Sequence, residues 1–145
     1  MDNKEREKSA LGRFEIIAER YIYGTEAERQ VILGFLNENE KETFLSATGL
    51  YSIWCGMKKR CYYQKSPNYK SYGGRGVKVC DEWRSDFKAF YEWAMNNGYS
   101  EELTIDRINP FGNYEPDNCR WATNEEQQYN KRANYKLHHI LNQQD

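Results

Sequence analysis

Basic and aromatic side chains alternate through residues 51–80, which gives this segment the chemistry to bind a polyanion. The segment contains seven Lys or Arg residues and no Asp or Glu, whereas the whole chain has a net charge of -1. Lysine and arginine neutralise phosphates, and tyrosine or tryptophan rings stack on bases, so nucleic acid is the first candidate ligand. The basic residues are Lys58, Lys59, Arg60, Lys65, Lys70, Arg75 and Lys78.

Acidic residues are concentrated on both sides of this segment. Residues 1–50 carry 7 positive and 10 negative charges, and residues 81–106 carry 2 positive and 7 negative charges. The sequence pI of 6.2 lies below the values above about 9 that are typical of nucleic-acid-binding domains. Nucleic-acid binding is therefore expected to be local and strongly salt-dependent. The alternative is a solvated basic face over a small core of tyrosines.

Length and composition predict a domain with a small, aromatic core. The chain has 145 residues, of which 15% are aromatic. No apolar run approaches the roughly 20 residues that span a bilayer, and the polar start MDNKEREK does not have the pattern of a signal peptide, so we expect a cytoplasmic protein without a membrane partner. The cysteines form no C-x-x-C pair, so we expect free thiols and no zinc on Cys61, Cys80 and Cys119.

Apolar spacing predicts three helices in the N-terminal half. The first covers residues 11–23, and a Thr25/Glu28 capping box begins the second, at residues 25–39. A third pattern covers residues 39–63, with an interruption predicted near Thr48–Gly49. The glycine-rich turn SPNYKSYGGRG follows. With Arg75 among its glycines, it is either a phosphate cradle or a simple turn before a strand.

The sequence of the second half, from residue 77 to residue 132, predicts short strands between helices. Val77 and Val79 alternate as a strand, an aromatic stripe predicts the main core helix at residues 82–96, and Asn97–Gly98 ends that helix. Residues 103–132 then indicate a strand, a turn-rich loop, a second strand, and a helix that begins at a Thr123/Glu126 capping box. This order is a ββα unit.

Three motifs within these elements resemble one known family. They are YGGRGVKVC at residues 72–80, DRI at residues 106–108 and NCRWAT at residues 118–123. Together they resemble the HNH, or His-Me finger, endonucleases, specifically the small proteins of phages and mobile elements. The resemblance covers residues 51–132. In active members an aspartate helps to hold a divalent metal, a histidine activates water, and a central asparagine orients that histidine.

The resemblance assigns roles to several polar residues. It implies Asp106 as a metal ligand, Asn118 as the central asparagine, and Gln127 or Asn130 as the helix ligand, with Mg²⁺ or Mn²⁺ as the metal. Arg107 stands where the family has its histidine. Arginine stays protonated and is a poor general base, although it can clamp a phosphate. The candidate catalytic residues are Asp106, Arg107, Asn118 and Asn130.

Two interpretations of Asp106 and Arg107 follow: an ion pair that supports the hairpin, or a phosphate clamp beside a metal ligand. Overall we predict an α+β protein with an acidic helical module (residues 1–48), an HNH-like domain (49–136) and a tail (137–145). The predicted function is DNA binding by a phage or mobile-element protein in the bacterial cytoplasm, with nuclease activity lost or altered. The predicted contacts are Lys58, Lys59, Arg60, Lys70, Arg75, Arg107, Arg120, Lys131 and Arg132.

Two other functions remain open from the sequence. One is an active, metal-dependent endonuclease. The other is a phage inhibitor that binds a host protein of defence or nucleic-acid processing through its acidic helices. The sequence does not distinguish DNA from RNA, and it does not predict an oligomeric state.

Overall fold

The computed structural model describes residues 2–142, and within its helices the side chains of residues 6–11, 134, 135, 138 and 142 lie outside that description. The described part is mostly helical with a small antiparallel sheet, which confirms the α+β class in its broad form. None of its helices is long and apolar enough to cross a lipid bilayer. The elements are α1 (Asn3–Tyr23), α2 (Glu26–Gly34), α3 (Glu38–Tyr62), α4 (Asp81–Arg84), α5 (Phe87–Asn96), β1 (Thr104–Arg107), β2 (Cys119–Ala122) and α6 (Asn124–Asn142).

The N-terminal helices begin at capping residues. Asp2 and Glu5 form a capping box, so α1 starts well before the predicted residue 11. The Thr25 hydroxyl accepts a hydrogen bond from the Glu28 N–H, as the capping motif predicts. Arg29 of α2 donates to the Gly24 carbonyl oxygen at 3.0 Å, which ties α2 to the turn after α1.

Helix α3 is the central element of the fold and runs without a break through Thr48–Gly49, so the predicted interruption is wrong. The Thr48 hydroxyl donates to the Leu45 carbonyl oxygen, within the helix. Gly49 leaves room for the Tyr99 hydroxyl, which would lie 2.8 Å from a Cβ at this position. The predicted domain division after residue 48 falls inside this helix. The buried face of α3 comprises Thr48, Leu50, Tyr51, Trp54, Met57 and Cys61.

The aromatic core forms where α3 meets α4 and α5. The predicted single helix at residues 82–96 is two helices, because the Asp86 side chain accepts from the N–H groups of Lys88 and Ala89 and starts α5 anew. The predicted aromatic stripe is core, since Trp83, Phe87 and Phe90 are buried. Gly98, with φ of +81°, follows the helix end as predicted.

The glycine turn packs against the end of α3. Residues Gly73–Arg75 form a 3₁₀ turn, and a Cβ at Gly73 would collide with the Cys61 carbonyl oxygen. Val77 and Val79 are buried, but the predicted strand is reduced to a single parallel bridge between Val79 and Tyr114.

Strands β1 and β2 pair antiparallel, with Asp106 opposite Arg120 and Arg107 opposite Cys119. The predicted Thr123/Glu126 capping box is present at the start of α6. Helix α6 continues through Asn142, so residues 137–142 of the predicted tail are helical, whereas residues 143–145 lie outside the described part.

Candidate functional site

A cavity of about 590 Å³ lies between the glycine turn, the β1–β2 connection and α6, and we call it the cavity below. Its volume is within the range of roughly 300–1,000 Å³ that is usual for small-molecule sites. Its walls combine cations, aromatic rings and amides. The lining residues are Asn68, Ser71, Tyr72, Arg75, Ile105, Asp106, Arg107, Pro110, Phe111, Tyr114, Gln127, Asn130 and Lys131.

Asp106 is buried in the cavity wall and is already paired. Its carboxylate accepts from the Nε of Arg120 on the opposite strand at 3.1 Å. Antiparallel register places the two residues directly opposite each other, so the strand pairing itself holds the ion pair. The ion-pair interpretation of Asp106 therefore applies to Arg120, and not to its chain neighbour Arg107.

Arg107 is held by a carbonyl and two rings. Its Nη1 donates to the Gly112 carbonyl oxygen at 2.9 Å, and its guanidinium carbon lies 4.8 Å from the Tyr72 ring centroid and 5.1 Å from that of Tyr114. Arg60 shares the same rings, at 5.3 and 5.6 Å, and donates to the Tyr114 hydroxyl. Within the described part of the chain, no carboxylate lies within ion-pair distance of either guanidinium. Two guanidiniums thus share the rings of Tyr72 and Tyr114, which line the cavity.

Burial raises the pKa of the Tyr114 phenol to about 12, although Arg60 and Arg107 act in the opposite direction. The phenol is therefore neutral at physiological pH and does not compensate the positive charge of the two arginines. The ring supports both guanidiniums through its face, an interaction that strengthens as water is excluded.

Asn118 is buried and organises the loop between β1 and β2. Its Oδ1 accepts from the Asn109 N–H at 2.9 Å, and its Nδ2 donates to the carbonyl oxygens of Asn113 at 2.8 Å and Asn109 at 3.1 Å. Gly112 is required beside it, because a Cβ there would approach the Asn118 Nδ2 to 2.7 Å. Asn118 does not line the cavity and instead fixes the loop that does.

Helix α6 contributes polar groups from one face. Gln127 donates to the Ile105 carbonyl oxygen at 3.1 Å, and its Oε1 faces the Thr104 hydroxyl, so its amide fastens α6 to β1. Asn130, one turn later, and Lys131 also line the cavity. The predicted pair Gln127 and Asn130 therefore shares the cavity with Asp106.

These side chains fit a divalent metal poorly. Magnesium and manganese favour several oxygen ligands with at least one available carboxylate. Among the described lining residues the one carboxylate, Asp106, is paired with Arg120, and the Gln127 oxygen faces a hydroxyl. Within residues 2–142, no three His, Cys, Asp or Glu side chains whose placement is described converge as a metal site.

The predicted basic residues are divided between surfaces. Arg75, Arg107 and Lys131 line the cavity, and Arg60 does not line it but contacts the rings of two of its tyrosines. Lys58 and Lys59 line a separate depression, which we call the lysine groove. Its residues are Glu19, Tyr23, Cys55, Lys58, Lys59, Tyr62 and Tyr63.

Three further predicted contacts lie outside both surfaces. Arg120 faces a shallow depression together with Glu125 and Glu126 of α6. Lys70 and Arg132 are exposed, but neither lines the cavity or the lysine groove.

The cysteines lie in different environments. Cys61 and Cys119 are buried, and burial raises the pKa of Cys61 to about 11 and that of Cys119 to about 12. Both are therefore neutral thiols at physiological pH and pack as small apolar groups. Cys55 and Cys80 are half-buried, and Cys55 lines the lysine groove.

Sequence reasoning missed two of the aromatic residues that line the cavity, Phe111 and Tyr114. Phe111 is 65% exposed, and it was not singled out although Asn109–Pro110 and Gly112–Asn113 mark turns on either side. An aromatic residue flanked by two turn signals is a recognisable pattern for a loop-tip side chain. Tyr114 has no such signal, because its position depends on the bridge to Val79.

Comparisons of this chain with models of known protein families, with curated proteins and with solved structures give no significant match.

Proposed function

We propose that this protein binds nucleic acid at the cavity and that it does not use the usual HNH chemistry to cut it. The proposal includes the resemblance to HNH endonucleases of phages and mobile elements, with DNA as the preferred ligand and the bacterial cytoplasm as the place of action. The observation that carries it is the charge of the cavity. Arg75, Arg107 and Lys131 line it, and the Asp106 carboxylate is neutralised by Arg120.

The charge supports an anionic ligand. Arginine and lysine at one concave surface raise the local concentration of phosphate, and low-dielectric walls increase the effect. The aromatic side chains Tyr72 and Phe111 add flat apolar surface beside the cations. Cations combined with aromatic rings are the usual means of binding nucleic-acid strands.

The same residues argue against hydrolysis. A general base must be able to accept a proton near neutral pH, and Arg107 cannot. No histidine is among the described residues that line the cavity. Arg120 already holds Oδ2 of Asp106, so the metal-dependent mechanism lacks its base and would have to share its one carboxylate with a cation.

Fluorescence anisotropy with labelled DNA tests the binding. We expect affinity to fall steeply between about 50 mM and 200 mM salt, because bound phosphates release counterions. Binding that is absent at low salt would overturn the proposal.

Plasmid incubation with Mg²⁺, Mn²⁺ or EDTA tests the catalytic part separately. We expect no metal-dependent nicking by the wild-type protein. Nicking that Asp106→Ala abolishes would establish the active endonuclease instead.

A second candidate function is binding of a host protein, and the N-terminal helices favour it. Phe35 is 84% exposed, and Tyr23 and Val31 are also exposed, so α1 and α2 present large apolar side chains to solvent. Capture of one protein from nuclease-treated bacterial lysate, lost in Phe35→Ser and retained in Lys131→Gln, would support this function. Equal capture by both variants would contradict it.

A further inference from the structure

The cavity suits a single nucleotide better than a duplex. A protein that follows duplex DNA needs cations spread along a face, because the helix carries a charge about every 1.7 Å. Here Arg75, Arg107 and Lys131 surround a single concave volume, and the lysine groove is a separate surface that also contains Glu19. The cations of the cavity therefore converge on a small anion-bearing ligand.

Phe111 provides an exposed flat surface on a fixed loop. Its side chain is 65% exposed, while its N–H donates to the Asn109 side chain at 3.0 Å. Asn118 in turn holds Asn109 through two hydrogen bonds. Hydrogen bonds thus hold the loop tip in the absence of a ligand, which lowers the conformational entropy lost when a base stacks on the ring.

Amides complete the lining. Asn68 and Asn130 come from the turn before the glycines and from α6, and both line the cavity. A carboxamide can donate and accept hydrogen bonds, which suits the exposed edge of an unpaired base. In a duplex that edge is occupied by the complementary base.

We propose that the cavity receives one unpaired nucleotide of a strand, with its base against Phe111 and its phosphate near Arg75 and Lys131. This inference rests on the proposed nucleic-acid binding and specifies its ligand. The protein then prefers single strands, bulges or frayed ends to continuous duplex. The same chemistry would also accept a free nucleotide, and the proposal commits to the strand.

Three DNA probes of the same length test the inference by fluorescence anisotropy with the full chain. They are a fully paired duplex, the duplex with one bulged thymidine, and the duplex with an abasic bulge. We expect the thymidine bulge to bind about tenfold more tightly than the other two, because stacking of one base contributes in that range. Free thymidine monophosphate is expected to compete only at concentrations far above that of the bulged duplex.

The variant Phe111→Ala should remove the advantage of the thymidine bulge. Ile108→Ala is the matched control, because Ile108 is 53% exposed in the same loop but does not line the cavity. Equal affinity for all three probes, an advantage that survives Phe111→Ala, or equal affinity for the free nucleotide would overturn the inference while leaving nucleic-acid binding intact. Failure to bind any probe at low salt would overturn the proposed function itself.

Discussion

The cavity and the lysine groove are both lined by basic residues from the segment 51–80, yet the structure gives them different surroundings. Lys58 lies over the Trp54 ring, with its Nζ 3.3 Å from the ring centroid, and the groove also contains Glu19. Arg75 joins Arg107 and Lys131 from distant parts of the chain around one volume. The comparison teaches that neighbouring charges in a sequence do not by themselves form one binding surface.

The largest expected effect concerns the buried acidic groups near Arg107. Burial raises the pKa of Cys61 to about 11 and those of Cys119 and Tyr114 to about 12, whereas the ordinary value is 9.0 for a thiol and 10.0 for a phenol. Between these values the unfolded chain loses protons that the folded chain keeps. The free energy of unfolding should therefore fall by about 5 kcal/mol from about pH 9 to about pH 11, when the contributions of the three groups are added. Urea unfolding across this range measures it.

Matched cysteine variants separate the two regions in that experiment. Cys119→Ala should flatten the decline of stability with pH, because it removes one strongly shifted thiol from beside the cavity. Cys55→Ala, in the lysine groove, should flatten it less, since Cys55 is only half-buried. If stability declined with pH equally in the two variants, the deeper burial of Cys119 would have no effect on its contribution to stability.

The next effect concerns the loop that builds the cavity. Asn118→Ala removes the three hydrogen bonds that this buried side chain makes to the backbone of Asn109 and Asn113 in the loop between β1 and β2. We expect a loss of about 2–3 kcal/mol in the free energy of unfolding. Asn96→Ala, at the exposed end of α5, should change it by less than about 0.5 kcal/mol. A similar loss of unfolding free energy in both variants would show that the Asn118 hydrogen bonds do not stabilise the loop.

A smaller effect tests the division of the cations directly. The double variant Arg75→Gln/Lys131→Gln should weaken binding of DNA roughly tenfold and lower the salt slope by about 2. The double variant Lys58→Gln/Lys59→Gln removes the same charge from the lysine groove and should leave the slope nearly unchanged. Anisotropy titrations at several salt concentrations give both values. Equal losses of DNA affinity in the two double variants would indicate that the cavity and the lysine groove form a single basic binding surface.

The last prediction is that bound DNA does not change the reactivity of Cys55 in the lysine groove. Cys55 lines the lysine groove, so its alkylation by iodoacetamide reports whether that surface is covered. Saturating DNA should leave the rate of Cys55 modification unchanged, as measured by mass spectrometry of the native protein. Protection of Cys55 would place the strand on the lysine groove instead of the cavity.

Local features of the fold were predictable because they depend on a few adjacent residues. The caps at Thr25 and Thr123, the helix end at Gly98 and the buried stripe of Trp83, Phe87 and Phe90 follow from side-chain types and periodicity. The prediction failed at Asp86, where a short polar side chain started a new helix within a periodic pattern. It failed also at Gly49, where packing of Tyr99 explains the glycine without any break.

The candidate site was predictable in its parts but not in its pairings. Asp106, Arg107, Gln127 and Asn130 were all selected from the sequence, and the cavity contains all four. The partner of Asp106 was not predictable, because Arg120 reaches it only through the register of β1 and β2. The same holds for the two tyrosines that support Arg60 and Arg107.

The sequence by itself determined the charge pattern, the helix caps, the aromatic core and the order of the ββα elements, since each of these depends on residue type and near spacing. Only the tertiary structure decided which cations line the same surface. Along α3 each residue turns by about 100°, so Lys58 and Lys59 line the lysine groove whereas Arg60 contacts the tyrosine rings of the cavity wall. Arg75 and Lys131 line one cavity although the glycine turn and α6 are far apart in the chain, so only the folded structure could bring them to the same surface.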